Sequence, residues 1–206
     1  KRNYINRMLD QKIICMKESK KYSKNYWDGD RRYGYGGYYF IEGYWLDLAK
    51  KFIKDYDLSN SSKILDIGCG KGYLLYEIKK ILPNIKICGI DISTYAIKNS
   101  HPKIKKYLKK MDARKKINFK SKSFDFAFSL ATFHNFDIDQ LKVSLSEIRR
   151  VSKKSYLMVE SYRNEKELFN LQCWALTASS FFSKKEWEWI YKEYNYNGDY
   201  EFIYFS

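Results

Sequence analysis

The feature that most constrains the fold is a glycine-rich turn between a predicted strand and a predicted helix. Residues 62–69 form a short apolar run, and residues 72–83 follow with helical periodicity until Pro83 stops them. The glycines between them, Gly68, Gly70 and Gly72, let the backbone turn tightly and approach a ligand without an intervening side chain. The helix start beyond them offers free N–H groups. This order predicts a strand–turn–helix unit whose turn faces a ligand.

The alternation of strands and helices continues to the end of the chain. Further strands are predicted at 85–92, weakly within 104–113, at 124–133, at 155–161 and at 200–206, with helices at 93–100, 139–152 and 184–194 between them. The run at 124–133 is apolar enough to be a central strand covered on both faces. We therefore predict an α/β fold: a doubly wound, Rossmann-like, mostly parallel sheet with helices on both faces.

The first 58 residues are predicted to form an N-terminal helical and lid extension, and residues 59–206 the main α/β unit of a single globular domain. Residues 1–27 have rough helical spacing and are predicted to form one surface helix. A further amphipathic helix is predicted within 43–58. The chain starts with Lys1 rather than Met, so we expect that residues upstream were removed.

The net charge of +15 raises the possibility of a nucleic-acid partner. The lysines are spread through the whole chain, however, which is more typical of a solvated surface. The four cysteines lie far apart without metal-ligand spacing, which favours reduced thiols and no metal site. No signal peptide and no apolar run long enough for a membrane span is visible, so we expect a cytoplasmic protein.

The stretch ILDIGCGKGYLL, residues 64–75, closely resembles the first motif of class I S-adenosylmethionine-dependent methyltransferases. A nicotinamide dehydrogenase would instead favour Gly-x-Gly-x-x-Gly. The resemblance covers roughly residues 60–160 and implies S-adenosyl-L-methionine as the cofactor and S-adenosyl-L-homocysteine as the product.

The resemblance also implies a set of cofactor contacts. Asp91 ends the second predicted strand, where a carboxylate can accept hydrogen bonds from a ribose diol, although a helix N-cap is the alternative role. The remaining implied contacts are the methionyl side at Asp66, Gly68, Cys69 and Gly70, the adenine side at Ile92, Asp112 and Ala113, and Leu130 in the loop that faces the methyl group. Cys69 is expected to pack there without chemistry of its own.

His134 lies in the loop after the fourth predicted strand, where an α/β sheet places its substrate. A neutral imidazole could serve there as a general base, or the residue could be structural or contact only the cofactor. The chain lacks the [Asn/Asp/Ser]-Pro-Pro-[Tyr/Phe] tetrapeptide of base and glutamine amino-methylation and a cysteine for base-carbon chemistry. We predict O- or N-methylation of a small molecule, such as a sugar, surface-polysaccharide or specialised-metabolite intermediate. The alternative is an RNA or protein methyltransferase, and the sequence leaves the oligomeric state open.

The stretch DGDRRYGYGGYYFIEGYW, residues 28–45, could be an RNA-binding arm, a buried aromatic cap or a lid. It occurs once and runs directly into a helix, which favours a lid over the carboxyl edge of the sheet. Arg32 and Tyr33 are its predicted catalytic residues. Either Arg31 or Arg32 can pair with the cofactor carboxylate or with an anionic substrate, and Tyr33 offers an aromatic wall with a polar tip. The aromatic segment after the fifth strand, which includes Trp187 and Trp189, could be a substrate wall or core packing.

Overall fold

The computed structural model describes residues 2–206, and its centre is a six-stranded sheet in which every strand pair is parallel. The spatial order is β3-β2-β1-β4-β5-β6. This confirms the predicted doubly wound α/β fold. In chain order the strands are β1 (Lys63–Ile67), β2 (Lys86–Asp91), β3 (Leu108–Lys110), β4 (Phe124–Leu130), β5 (Ser152–Glu160) and β6 (Asp199–Ile203).

Helices cover both faces of this sheet. Their bounds are α1 (Tyr4–Leu9), α2 (Lys12–Ser19), α3 (Lys24–Asp28), α4 (Leu46–Asp55), α5 (Tyr73–Ile81), α6 (Thr94–Lys98), α7 (Ile138–Val151), α8 (Glu165–Trp174) and α9 (Lys184–Glu193). Short 3-10 helices occupy Arg31–Tyr33, Lys105–Tyr107 and Phe133–Asn135. In the part of the chain that the structure describes, no helix combines the length and apolar character that a bilayer crossing needs.

The predicted single helix over residues 1–27 is wrong, because the chain there forms three short helices. Gln11 and Tyr22 adopt left-handed backbone conformations, with φ of 43° and 48°, and each ends the helical path. The helix α8 was not predicted at all, since its hydrophobic residues show little helical periodicity in the sequence. The breaks allow the N-terminal helices to wrap around the molecule instead of extending along one face.

Each face of the sheet has its own apolar core. Phe52 of α4 is fully buried against Phe126, Phe128 and Tyr156, with ring centroids 5.0–5.2 Å away. On the other face, Trp187 of α9 is also fully buried. Burial of such aromatic rings contributes on the order of 2–3 kcal/mol per side chain.

Of the two tryptophans left open by the sequence, Trp187 is core, whereas Trp189 is 59% exposed on the same helix. Trp187 also donates a hydrogen bond from Nε1 to the carbonyl oxygen of Glu160, at 3.1 Å. The aromatic segment after β5 therefore supports the carboxyl end of that strand.

The order of the sheet reverses between β1 and β4, which lie side by side although β2 and β3 intervene in the sequence. The two connections leave this point in opposite directions and open a crevice at the carboxyl ends of the strands. The strand ends that border it are Ile67, Asp91, Leu130 and Glu160.

Candidate active site

A cavity with about 700 Å³ of empty space, part of it open to solvent, lies at the carboxyl edge of the sheet. The glycine turn, the end of β2, the loop after β3 and the loop after β4 all contribute to it. Six of the predicted cofactor-binding residues line this cavity: Gly68, Asp91, Ile92, Asp112, Ala113 and Leu130. The remaining walls are Tyr22, Tyr26, Trp27, Tyr35, Ile90, Met111, Arg114, Ala131, Thr132, Asn135 and Phe136.

The glycine turn requires glycine at Gly68 for two separate reasons. Its φ is +82°, a conformation that L side chains rarely adopt, and a Cβ at this position would collide with the side chain of Thr132. The turn is tied to the neighbouring strand, since Gly70 donates its N–H to Asp91 Oδ2 at 2.8 Å. Gly68 therefore brings the backbone itself to the wall of the cavity.

Two buried carboxylates stand beside this turn. Asp66 is 5% exposed and Asp91 is 8% exposed. Burial, with the charge of Asp91 added, raises the pKa of Asp66 well above its usual value, and burial also raises the pKa of Asp91. Over residues 2–206 neither carboxylate has a cationic partner. Asp91 lines the cavity, whereas Asp66 lies behind its wall. The edge at Asp91 is therefore suited to a ligand that brings hydroxyl donors and positive charge.

The part of the cavity lined by Ile92, Asp112 and Ala113 combines apolar surface with one ion pair. Ile92 and Ala113 offer apolar surface there, and Asp112 forms a two-point ion pair with Arg114, at 2.9 and 3.0 Å. The hydrogen bonds from Arg114 lower the pKa of Asp112 despite partial burial. A flat heterocycle with a polar edge suits such a surface.

The aromatic segment of residues 27–45, which runs from the end of α3 to the start of α4, covers the glycine turn. The Trp27 ring lies on Gly70, so that a Cβ there would fall 2.7 Å from Trp27 Cη2, and Trp27 Nε1 donates to Ser93 Oγ at 2.9 Å. Tyr35 stacks on Trp27 with ring centroids 5.2 Å apart and planes 9° apart. The segment therefore lies over the carboxyl edge of the sheet, where a lid would lie.

A buried ion pair attaches this segment to the glycine turn. Lys71 Nζ lies 2.7 Å from both carboxylate oxygens of Asp28 and donates to the carbonyl of Tyr38 at 2.8 Å. Asp28 also accepts hydrogen bonds from the Tyr38 N–H and the Tyr95 hydroxyl. The side chains of Lys71 and Asp28 are only 3% and 12% exposed.

Several predicted residues lie outside this cavity. The side chain of Cys69 packs against Gly89 in the core, and the Asp66 and Gly70 positions are behind the wall. Arg32 forms an ion pair with Asp10 at 2.7 Å.

The side chain of Tyr33 is likewise not part of the wall, and its carbonyl accepts a hydrogen bond from Ser19 at 2.6 Å. Consecutive residues of a 3-10 helix point in different directions. For this reason Arg31, and not Arg32, faces inward.

His134 is 3% exposed and likewise lines no cavity. Its Nδ1 accepts the backbone N–H of Glu160 at 3.1 Å, and its Nε2 lies 3.4 Å from Glu160 Oε2. Because Nδ1 accepts, a neutral ring carries its proton on Nε2, which lies near that carboxylate without a hydrogen bond to it. Burial lowers the pKa of His134, although the Glu160 charge opposes the shift.

The sequence reasoning missed Glu160 as a site residue. It is the last residue of β5, just as Asp91 is the last residue of β2, and this shared position was the signal available in the sequence. Glu160 lies in the wall of a second cavity, which borders the first. The second cavity is lined by Arg7, Tyr26, Arg31, Gly34, Tyr35, Glu160, Trp174, Ala175, Leu176 and Thr177.

Comparison with known proteins agrees with this geometry. A family described as "Methyltransferase domain" matches residues 58–198. A malonyl-[acyl-carrier protein] O-methyltransferase of Ilyobacter polytropus is 32% identical over 127 residues, which is 57% of this chain and 45% of the relative. The chain thus spans about half the length of the curated relative that it matches.

Solved structures share the fold. The YcgJ protein of Bacillus subtilis aligns with a TM-score of 0.57 at 18% identity, over 71% of this chain and 66% of that one. A SAM-dependent methyltransferase of Aquifex aeolicus aligns with a TM-score of 0.52 at 22% identity, over 71% and 78%. The family match spans most of the chain and contains the glycine turn, both buried carboxylates and β5. The chain therefore belongs to the class I S-adenosylmethionine-dependent methyltransferases.

Proposed function

We propose that this chain transfers the methyl group of S-adenosylmethionine to an oxygen, or alternatively a nitrogen, of a small-molecule acceptor. The observation that carries the proposal is Asp91, a buried carboxylate that lines the cavity beside a glycine turn and has no cationic partner among residues 2–206. Bound S-adenosylmethionine supplies an activated methyl group on a sulfonium and also brings an ammonium group and a ribose diol. Its positive charge and its hydroxyl donors would offset the electrostatic cost of the buried Asp91 carboxylate.

The residues of this cavity fit the other parts of that cofactor as well. Each carboxylate oxygen of Asp91 already accepts one backbone N–H, from Gly70 and from Ser93, and retains acceptor capacity for a ribose hydroxyl. Ile92 and Ala113 would pack against the adenine, and the polar edge at Asp112 would accept from its amino group. Leu130 is the last residue of β4, and we place it between the adenine part of the cavity and the acceptor side.

For the acceptor side we propose Glu160 as the group that faces the reacting atom and His134 as the positioning residue behind it. A neutral His134 has no free lone pair, because Nδ1 accepts the Glu160 N–H and Nε2 then carries the proton. The Glu160 carboxylate, held by His134, can receive a proton from a hydroxyl acceptor. Arg32 and Tyr33 would then act by holding the aromatic segment over the site rather than by touching the acceptor.

An oxygen acceptor is favoured over nitrogen by the relative from Ilyobacter polytropus, whose name specifies O-methylation. A small acceptor is favoured over RNA because the lysines are spread along the whole chain, with no cluster that would suggest a nucleic-acid-binding surface. Tyr26 and Tyr35 border both cavities, so an acceptor in the second would lie directly beside a cofactor in the first.

Calorimetric titration with S-adenosylmethionine tests the cofactor site. We compare the wild type with Asp91→Asn and with the matched control Asp125→Asn, whose carboxylate also accepts a backbone N–H but lies at the opposite edge of the sheet. Loss of charge-assisted hydrogen bonds costs about 1.5–3 kcal/mol, so Asp91→Asn should weaken binding roughly tenfold to hundredfold.

Asp125→Asn should bind like the wild type, and thermal unfolding of each variant verifies that it is folded. Absence of binding by the wild type, or equal binding by Asp91→Asn, would overturn the proposed function.

A further inference from the structure

The second cavity carries an excess of positive charge that the cofactor site does not use. Arg7 and Arg31 both line it, and their guanidinium carbons lie 5.3 and 5.1 Å from the centroid of the Trp174 ring. Lys12 stands just behind the wall, with Nζ 2.7 Å from the carbonyl of Cys173 and 2.5 Å from that of Ala175. Two guanidinium groups thus line one pocket, and a third cationic group lies behind its wall.

None of these three cations forms an ion pair within residues 2–206. Arg7 donates from Nη1 to the backbone carbonyls of Arg31 and Arg32, and its buried Nε has no hydrogen-bond partner there. Arg31 donates only to the carbonyl of Gly34. The recorded bonds use only Nη1 of each arginine, so the Nη2 donors of Arg7 and Arg31 have no acceptor among residues 2–206.

Mutual repulsion among the cations supports the same reading. Burial and the neighbouring Arg31 lower the pKa of Arg7, and burial together with Arg7 lowers the pKa of Lys12 to about 8. Contacts with the Trp174 ring stabilise a guanidinium, but they would do so equally for one arginine alone. The positive charges of Arg7, Arg31 and Lys12 repel one another, and an anion bound between them would stabilise the folded protein.

The carboxylate in the same wall offsets only part of this charge. Glu160 is the one acidic residue among those that line the second cavity, it forms no ion pair with either arginine, and its nearest recorded partner is the neutral His134 ring, with Nε2 at 3.4 Å. Two guanidinium groups therefore face the pocket with a single carboxylate. A guanidinium pair of this kind matches the planar geometry of a carboxylate or the oxygens of a phosphate.

We propose that the second cavity binds the acidic group of a small anionic methyl acceptor, a carboxylate or phosphate ester, through Arg7 and Arg31. This inference rests on the proposed function and gives the acceptor its chemical class. The shared wall of Tyr26 and Tyr35 then places the body of the acceptor towards the cofactor cavity. Arg31 is the better position for a test, because Arg7 also holds the backbone of residues 31 and 32.

The test is calorimetry on the full chain saturated with S-adenosylhomocysteine, with malonate and inorganic phosphate as anionic probes and malonamide as the neutral probe. We expect at least one anion to bind and malonamide not to bind. Arg31→Gln should weaken anion binding tenfold or more, and Arg31→Lys should weaken it less. The matched control Arg149→Gln, which removes an arginine bonded to the carbonyl of Tyr194 on the other side of the sheet, should leave it unchanged.

Several outcomes would overturn the inference: no anion binding, equal binding of malonamide, or unchanged anion binding in Arg31→Gln. Binding of a 20-nucleotide RNA that Arg31→Gln weakens, without binding of either small anion, would overturn it in favour of a nucleic-acid acceptor. Failure of the proposed function would be distinguishable from failure of this inference, because the wild type would then not bind S-adenosylhomocysteine. The S-adenosylhomocysteine affinity and thermal unfolding of each variant verify that its fold is intact.

Discussion

Asp28→Asn should loosen the aromatic segment over the glycine turn while leaving the sheet intact. The substitution keeps the shape of the side chain but removes the charge that Lys71 faces at 2.7 Å. It also replaces one of the two acceptor oxygens with an NH₂ group that cannot accept a hydrogen bond. Removing one partner of a buried ion pair costs about 3–5 kcal/mol, and Asp28 keeps some solvent contact. We therefore expect about 3 kcal/mol, which corresponds to a local opening roughly a hundredfold more frequent.

Hydrogen exchange measures this opening directly. The N–H of Tyr35 donates to Tyr26 and that of Gly37 to Trp27, so both amides report on the segment. Their exchange should accelerate roughly a hundredfold in Asp28→Asn, while amides of β1 and β4 stay protected. The matched control is Asp55→Asn, which breaks an exposed pair with Lys51 and should cost less than about 0.5 kcal/mol.

The same contact predicts a pH dependence. Burial raises the pKa of Asp28, but hydrogen bonds from Lys71, Tyr38 and Tyr95 outweigh it, so its pKa lies below the usual value. A depressed carboxyl pKa stabilises the folded state above the unfolded pKa, and this stabilisation is lost as the pH falls through the folded pKa. Acid should therefore release the segment in the wild type but have less effect in Asp28→Asn. Unchanged exchange at Tyr35 and Gly37 in the variant would refute this account.

Two further predictions concern the turn and the imidazole. Gly68→Ala should destabilise the protein by clearly more than Gly43→Ala in chemical denaturation: both have φ near +80°, which costs about 1–2 kcal/mol, but a Cβ meets Thr132 at Gly68 and nothing within 4 Å at Gly43. Equal losses would show that Thr132 moves aside freely. Nitrogen-15 NMR should find His134 with its proton on Nε2 and a pKa below 6.5, so that its contribution to stability is lost as the pH falls below the unfolded value. A proton on Nδ1 would contradict the role assigned to Glu160.

The cofactor side of the site was predictable from the sequence because its residues are close in the chain to the strands that carry them. A glycine turn after a strand, and an acid at the end of the next strand, are brought together by any parallel sheet whose strands lie side by side. Asp91 and Gly70 are 21 residues apart, yet they meet at 2.8 Å as soon as β1 and β2 pair. Apolar periodicity likewise indicated the six strands and the helices α4 to α7 and α9, and the structure confirms these elements.

The residues that we propose for the acceptor side are brought together by the tertiary structure alone. Arg7, Arg31 and Glu160 belong to three distant parts of the chain, and no local pattern relates them. They meet because left-handed residues at Gln11 and Tyr22 turn the N-terminal helices back across the sheet, which a prediction of one continuous helix could not anticipate.

The choice between neighbouring residues also depended on packing. The sequence of residues 28–45 does not indicate which of Arg31 and Arg32 faces inward. The direction of each side chain follows from a single 3-10 turn. Likewise, the sequence places His134 in the loop after the fourth predicted strand, where we expected the substrate. In the structure both of its ring nitrogens lie against Glu160. The sequence by itself determined the fold and where a cofactor can bind, because both follow from local periodicity and strand adjacency. Which side chains face the acceptor was decided only by long-range packing.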